Sequence, residues 1–196
     1  MSNFSIYFQL GFNHITNWGA LDHILFMAAL SLRYQFTDCK KILILITAFT
    51  IGHTITLGLS VLDIIHFSNK CVEFLIPLTI VATVCSNFFV KKNNLNSKFP
   101  LIYWLALFFG FIHGLGFSND LKSIIGNQSG LIIKLFAANI GIEAAQICFV
   151  LILLLIGFIC TNVFKINRRE YLLTFNGIIL GIAAYIAVSR FIISVK

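Results

Sequence analysis

The chain has 196 residues, of which 59% are hydrophobic, 14% aromatic and 11% charged, with a mean hydropathy of +0.94. A soluble domain carries roughly 25% charged residues. A water-soluble globule is therefore excluded, and no stretch longer than the polar segment 91–100 is left to build a separate soluble domain. The net charge of +7 would suit a nucleic-acid binder only if basic residues were massed on one face. They sit in short clusters between apolar runs, so the expected partner is the lipid bilayer and nucleic acid is not.

In chain order, residues 4–12 are apolar enough for a short interfacial or re-entrant helix, cut off at Gly11 and the turn-rich segment 13–19. The N-terminus has no basic n-region and no small-residue cleavage site, so residues 1–17 are expected to be retained. Six apolar runs follow at about 18–33, 41–62, 71–90, 100–117, 131–160 and 171–193, against the roughly 20 residues that a helix needs to cross a bilayer. They predict an all-α polytopic bundle of six transmembrane helices, with residues 1–196 forming one integral membrane domain. The first span is short. The fifth is overlong, so it must tilt, kink near Gly141 or project beyond the lipid.

Basic residues near span ends are held on the cytoplasmic side. Arg33, Lys40 and Lys41 flank the first loop, Lys91, Lys92 and Lys98 the third, and Lys165, Arg168 and Arg169 the fifth. Lys70, Lys122 and Lys134 lie on the second and fourth loops, and Arg190 and Lys196 end the chain on that same side. Both termini are thus expected outside the cytoplasm. Cys39, Cys71, Cys85, Cys148 and Cys160 show no C-x-x-C pairing; four lie in or beside apolar runs, where a thiol behaves as a small hydrophobe, and all five read as structural, since metal-binding cysteines come in close pairs.

Ionisable side chains inside spans cost a few kcal/mol on insertion scales, about 3 at a helix centre, so each asks for a function or a partner. Five stand out: Asp22 and His23 on the first span, His53 on the second, His113 on the fourth and Glu143 on the fifth. At about 1.5 Å per residue, His53 and His113 fall about 18 to 20 Å from the cytoplasmic face, and all five are expected to meet at one level in the outer half. Thr50, His53, Thr54 and Leu57 share one helix stripe; Asn139, Glu143 and Gln146 share another. Gly141 and Ala145 allow close helix approach, and Gly110, Gly114 and Gly116 leave room around His113. His14 is a sixth candidate. Asp63 and His66 belong to an outer loop and read as solvated, while Glu73 and Asn87 carry no clear role. Imidazoles with carboxylates suit divalent transition metals such as Ni, Co, Zn or Fe, whereas an oxygen-only set would suit Mg or Ca. The bland alternative is that these groups neutralise one another and hold the bundle together by hydrogen bonds.

Four strings carry a family likeness: Asp22-His23-Ile24-Leu25-Phe26, Thr50-Ile51-Gly52-His53-Thr54, the run Phe109-Gly110-Phe111-Ile112-His113-Gly114-Leu115-Gly116-Phe117, and Gly141-Ile142-Glu143-Ala144-Ala145-Gln146. In this order they resemble the signature stretches of the HupE/UreJ family of bacterial membrane proteins, in its compact branch without a cleaved leader. The resemblance implies a nickel or cobalt permease, with His14, Asp22, His23, His53, His113 and Glu143 as metal-handling residues and Thr50, Thr54, Asn139 and Gln146 in support. The first motif departs from that pattern: His14 precedes Asp22 by eight residues and is followed by Ile15, where permease members often have proline.

Three functions compete at this stage. A permease for a divalent transition metal would capture its ion on the outer-half cluster. An intramembrane metal-dependent hydrolase, with zinc or a two-metal site and Glu143 or Asp22 as general base, would act on a lipid or a lipid-embedded peptide. It is kept open because the inner halves of the spans look almost wholly apolar, with no charged exit relay, but nothing spells H-E-x-x-H. A structural helper in a larger membrane complex is the third. The identity of the metal and assembly into a homo-oligomer stay open.

Overall fold

The structure, a computed structural model, describes residues 3–17, 21–89, 101–125 and 130–195. Trp18, Lys91, Lys92, Lys98 and Lys196, used above for spans and orientation, lie outside these residues. Everything described is helical or connecting chain. The helices are α1 (Asn3–Thr16), α2 (Leu21–Ser31), α3 (Cys39–Val61), α4 (Asn69–Phe89), α5 (Leu101–Ile125), α6 (Leu131–Phe158) and α7 (Arg168–Val195). A 3₁₀ turn, Phe36–Asp38, leads into α3, and a π-helical turn, Ile159–Val163, ends α6.

Among the described residues, four segments are long and apolar enough to cross a bilayer: Phe36–Val61, Asn69–Phe88, Leu131–Val163 and Arg168–Ile193. The runs expected as the first and fourth spans give the shorter apolar helices Leu21–Ser31 and Ile102–Ser118. At about 1.5 Å per residue α2 rises only about 16 Å, roughly half the hydrocarbon thickness. The N-terminal helix, for its part, does not stop at Gly11. It continues to Thr16 because Gly11 faces the backbone of Ala138 on α6, with Ala138 O where a Cβ would stand, and Gly141 meets the Phe8 carbonyl of α1 in the same way. The absence of side chains at both positions lets α1 and α6 pack backbone against backbone, and the missing Cβ that suggested a breaker is the contact itself.

The same device joins α3 to α5. A Cβ on Gly52 would strike the Leu107 carbonyl, one on Gly110 the Phe49 carbonyl, and one on Gly114 the His53 carbonyl. α3 and α5 are locked in register by these three contacts, which set His53 and His113 side by side. Phe26, Phe49, Phe109, Ile80 and Val84 belong to the main core, which α2, α3, α4 and α5 share with Val150 and Leu154 of α6 and Ile179 and Ala183 of α7.

Polar side chains close the remaining gaps. Arg168 donates to the Leu32 and Tyr34 carbonyls, at 2.6 and 3.1 Å, just past the end of α2, where unsatisfied carbonyls and a partial negative charge accumulate. Outside the spans, Asp63 in the turn after α3 pairs with Lys122 from the end of α5 at 2.6 Å; this hydrogen bond holds its carboxyl below the usual range. Asn87 of α4 donates to the Ala29 carbonyl of α2 at 2.8 Å and to Asn176 Oδ1 of α7 at 2.9 Å, which gives that residue its role. Interhelical hydrogen bonds in membranes average about 0.6 kcal/mol. Asn87→Ala, which loses two, should therefore cost about 1 to 2 kcal/mol in a detergent unfolding titration, without altering any ligand site.

Candidate metal centre

α1 ends and α2 begins at the same place in the bundle. His14 stands in the last turn of α1, Asp22 and His23 in the first turn of α2. Two short helices meeting end to end are the arrangement by which membrane proteins put helix termini and polar side chains at depth. His53 arrives from the middle of α3 and His113 from the middle of α5. Four of the five histidines in the chain thus converge. Ring centroids lie 4.6 Å apart for His14 and His23, 5.0 Å for His23 and His113, 6.1 Å for His14 and His53, and 6.4 Å for His23 and His53. His53 and His113 are wholly buried and His23 is 5% exposed. Phe117 stacks on His14 at 3.7 Å, while Phe26 and Phe49 pack against His113 at 5.1 and 5.2 Å, so the walls of the site are aromatic.

Ring nitrogens decide what this cluster can do. His23 Nδ1 faces Asp22 Oδ1 at 3.2 Å, and the same oxygen accepts the His23 backbone N–H at 3.0 Å. An ionised carboxylate can only accept, so Nδ1 carries the proton and Nε2 keeps a free lone pair. On His113, Nε2 faces Thr79 Oγ1 at 3.2 Å. The one hydroxyl proton of Thr79 goes to the Ile76 carbonyl at 2.6 Å, which leaves that oxygen as an acceptor from Nε2–H. His113 therefore presents a bare Nδ1. Among the described residues, His14 Nε2, His23 Nε2, both nitrogens of His53 and His113 Nδ1 are buried without a hydrogen-bond partner.

Leaving a buried polar atom unsatisfied costs about 1 to 3 kcal/mol. Each of the four neutral rings can offer one lone pair, its other nitrogen carrying the proton, and neutral imidazole is the form that a transition metal requires. One donor atom each from His14, His23 and His53 lie within 4.8 Å of one another. Two nitrogens at about 2.1 Å from a common ion stand no more than about 4.2 Å apart, so small side-chain rotations close the set. Asp22 and Thr79 orient two of the rings, the usual outer-sphere arrangement for metal-ligating histidines. Thr79 was not foreseen. A threonine in an apolar helix has no sequence signal that separates it from packing, and only the fold brings α4 against α5.

Glu143, expected at the same level, is placed elsewhere. It accepts the Thr47 hydroxyl at 2.9 Å, and Thr47 lies six residues before His53 on α3, about 9 Å along the axis. The two expected stripes do face each other: Thr54 donates to Asn139 at 2.7 Å and Thr50 to Gln146 at 2.9 Å. Together these pairs form a polar ladder between α3 and α6, and all of its side chains except Gln146 line a cleft of about 680 Å³ whose other walls are apolar. The candidate residues thus divide into a histidine centre with Asp22 and a ladder ending at Glu143. Asp63 is paired with Lys122, as described, and the five cysteines are all free.

No curated protein and no solved structure matches the chain. The profile of the family described as HupE / UreJ protein matches residues 1–190. With nearly its whole length covered, the chain belongs to the HupE/UreJ family, which agrees with a membrane protein in a metal transport or accessory role.

Proposed function

We propose that the protein is a permease for a divalent transition metal ion, nickel or cobalt by family, captured as substrate at the histidine centre. The observation that carries this reading is the set of five unpartnered ring nitrogens on the half-buried His14 and the buried His23, His53 and His113. His14, His23, His53 and His113 supply neutral nitrogen donors that favour borderline-soft ions, and Asp22 supplies negative charge and fixes the His23 tautomer. The protein lies in the bacterial inner membrane with both termini outside the cytoplasm. An epitope tag at either end would then be accessible without permeabilisation.

Glu143 is assigned as a second station for the ion. From the level of His53, the hydroxyls of Thr54, Thr50 and Thr47 step down α3 toward the Lys40 and Lys41 end, facing Asn139, Gln146 and Glu143. This stripe supports transport, because it supplies the oxygen-lined route through the inner half that the apolar sequence had seemed to lack. Neutral imidazole is the binding form, so affinity should fall on acidification once the rings protonate.

The two stations separate in one experiment. Cobalt(II) bound to purified protein reports its ligands through d–d absorption, and nickel accumulation by cells reports transport. Glu143→Gln should leave the Co²⁺ spectrum and affinity unchanged while cutting accumulation about tenfold or more. A changed spectrum would place Glu143 among the direct ligands of the histidine centre; unchanged accumulation would remove it from the route. Failure of the wild-type protein to bind Co²⁺ or Ni²⁺ in elemental analysis and titration would reject the permease reading as a whole.

A further inference from the structure

We infer that Arg190 is a built-in counter-cation, which shares Asp22 with the histidine centre and lowers the affinity of that centre for a dication. The inference deepens the permease reading and rests on it. It starts from Pro77, inside α4. Proline has no N–H, so the carbonyl four residues back, that of Glu73, loses its helical partner. Arg190, reaching across from α7, donates Nη1 to that carbonyl at 2.8 Å. The anchored guanidinium also lies 3.5 Å from Asp22 Oδ2. Asp22 is therefore divided: Oδ1 accepts the backbone N–H and Nδ1–H of His23, while Oδ2 faces Arg190.

Two roles are open to such an arginine, and they predict opposite signs. A positioning residue would hold Asp22 in place, and its removal would weaken metal binding. Asp22, however, is already held by two bonds from His23, and the 3.5 Å contact from Arg190 is at the long limit of a hydrogen bond. The larger effect is charge. The Asp22 side chain is only 12% exposed, so the charges are weakly screened. A carboxylate beside the histidines attracts a dication, and a guanidinium on its other oxygen cancels that attraction. Tight binding at the first site would stall a carrier; a fixed positive charge next to it keeps the ion releasable.

The test uses the full-length protein in detergent or nanodiscs, titrated with Co²⁺ and, separately, with Ag⁺, a monovalent ion that also accepts imidazole. Arg190→Gln keeps an amide donor for the Glu73 carbonyl and removes the charge. It should tighten Co²⁺ binding about tenfold, with half as large a change in log affinity for Ag⁺, because the Coulomb effect scales with the charge of the ion. Arg190→Lys should match wild type, and Arg190→Met, which keeps the aliphatic stem, should change in the same direction as Arg190→Gln if the glutamine variant fails to fold. Weaker or unchanged Co²⁺ binding in the folded neutral variants would overturn the inference, as would equal shifts for the two ions. A wild-type protein that binds neither ion would instead reject the metal reading beneath it.

Discussion

His53→Leu is expected to abolish high-affinity Co²⁺ and Ni²⁺ binding, by about 100-fold or more, while the ion-free protein unfolds at an unchanged or higher temperature. His53 is wholly buried, sits within ring contact of His14, His23, Phe49 and Phe117, and hydrogen-bonds through neither of its nitrogens. Its removal therefore breaks no bond in the bundle. Each buried unsatisfied nitrogen costs about 1 to 3 kcal/mol, and leucine fills much of the imidazole volume, so the loss of desolvation cost offsets the packing change. A residue whose replacement stabilises the fold and destroys binding is kept for function. The comparison needs two measurements on one sample, a thermal unfolding midpoint without metal and a metal titration. A lower midpoint with unchanged binding would make His53 a packing residue.

Gly110→Val is expected to be the most damaging single change to the fold, at about 3 kcal/mol or more. Even the first carbon of a side chain at Gly110 would overlap the Phe49 carbonyl, and its next nearest neighbours are also backbone, the Phe49 carbonyl carbon and the His53 nitrogen at 3.0 and 3.1 Å. Backbone cannot rotate aside as a flexible side chain can, so α3 and α5 must part. His113 lies three residues further along α5 and would move with it, so metal binding should fall together with stability. Gly181→Ala supplies the control. Nothing lies within 4 Å of a Cβ placed there, and its effect should stay within about 1 kcal/mol. Chemical unfolding in mixed micelles compares the three proteins; equal stabilities would show that the α3–α5 contact is looser than its geometry.

How far the sequence could be read follows from which properties are local. Hydropathy is a property of consecutive residues, so membrane residence, helical class and the long runs on α3, α4, α6 and α7 are legible directly. Intramembrane histidines and acids are equally visible, because their cost in lipid does not depend on the neighbours they find. Depth, counted by rise per residue, brought His23, His53 and His113 to one place. It failed for Glu143, whose partner Thr47 lies about 9 Å along α3 from His53, because the overlong α6 offers no fixed end from which to count depth. Gly11 misled for a related reason: a glycine read from sequence is a breaker or a close contact, and only a partner backbone, here Ala138, decides between them.

The sequence by itself determined that this is a helical membrane protein of the HupE/UreJ kind, with imidazoles and carboxylates where lipid makes them expensive. Tertiary structure alone decided how those groups are partitioned. Rotation of each helix about its axis, set by the backbone contacts at Gly52, Gly110, Gly114, Gly11 and Gly141, turned four histidines toward one another and Glu143 toward Thr47. The packing of α4 against α5 and of α7 against α2 brought Thr79 to His113 and Arg190 to Asp22, residues 34 and 168 positions apart. Such pairings depend on which helices are neighbours, and no local pattern in an apolar sequence encodes that choice.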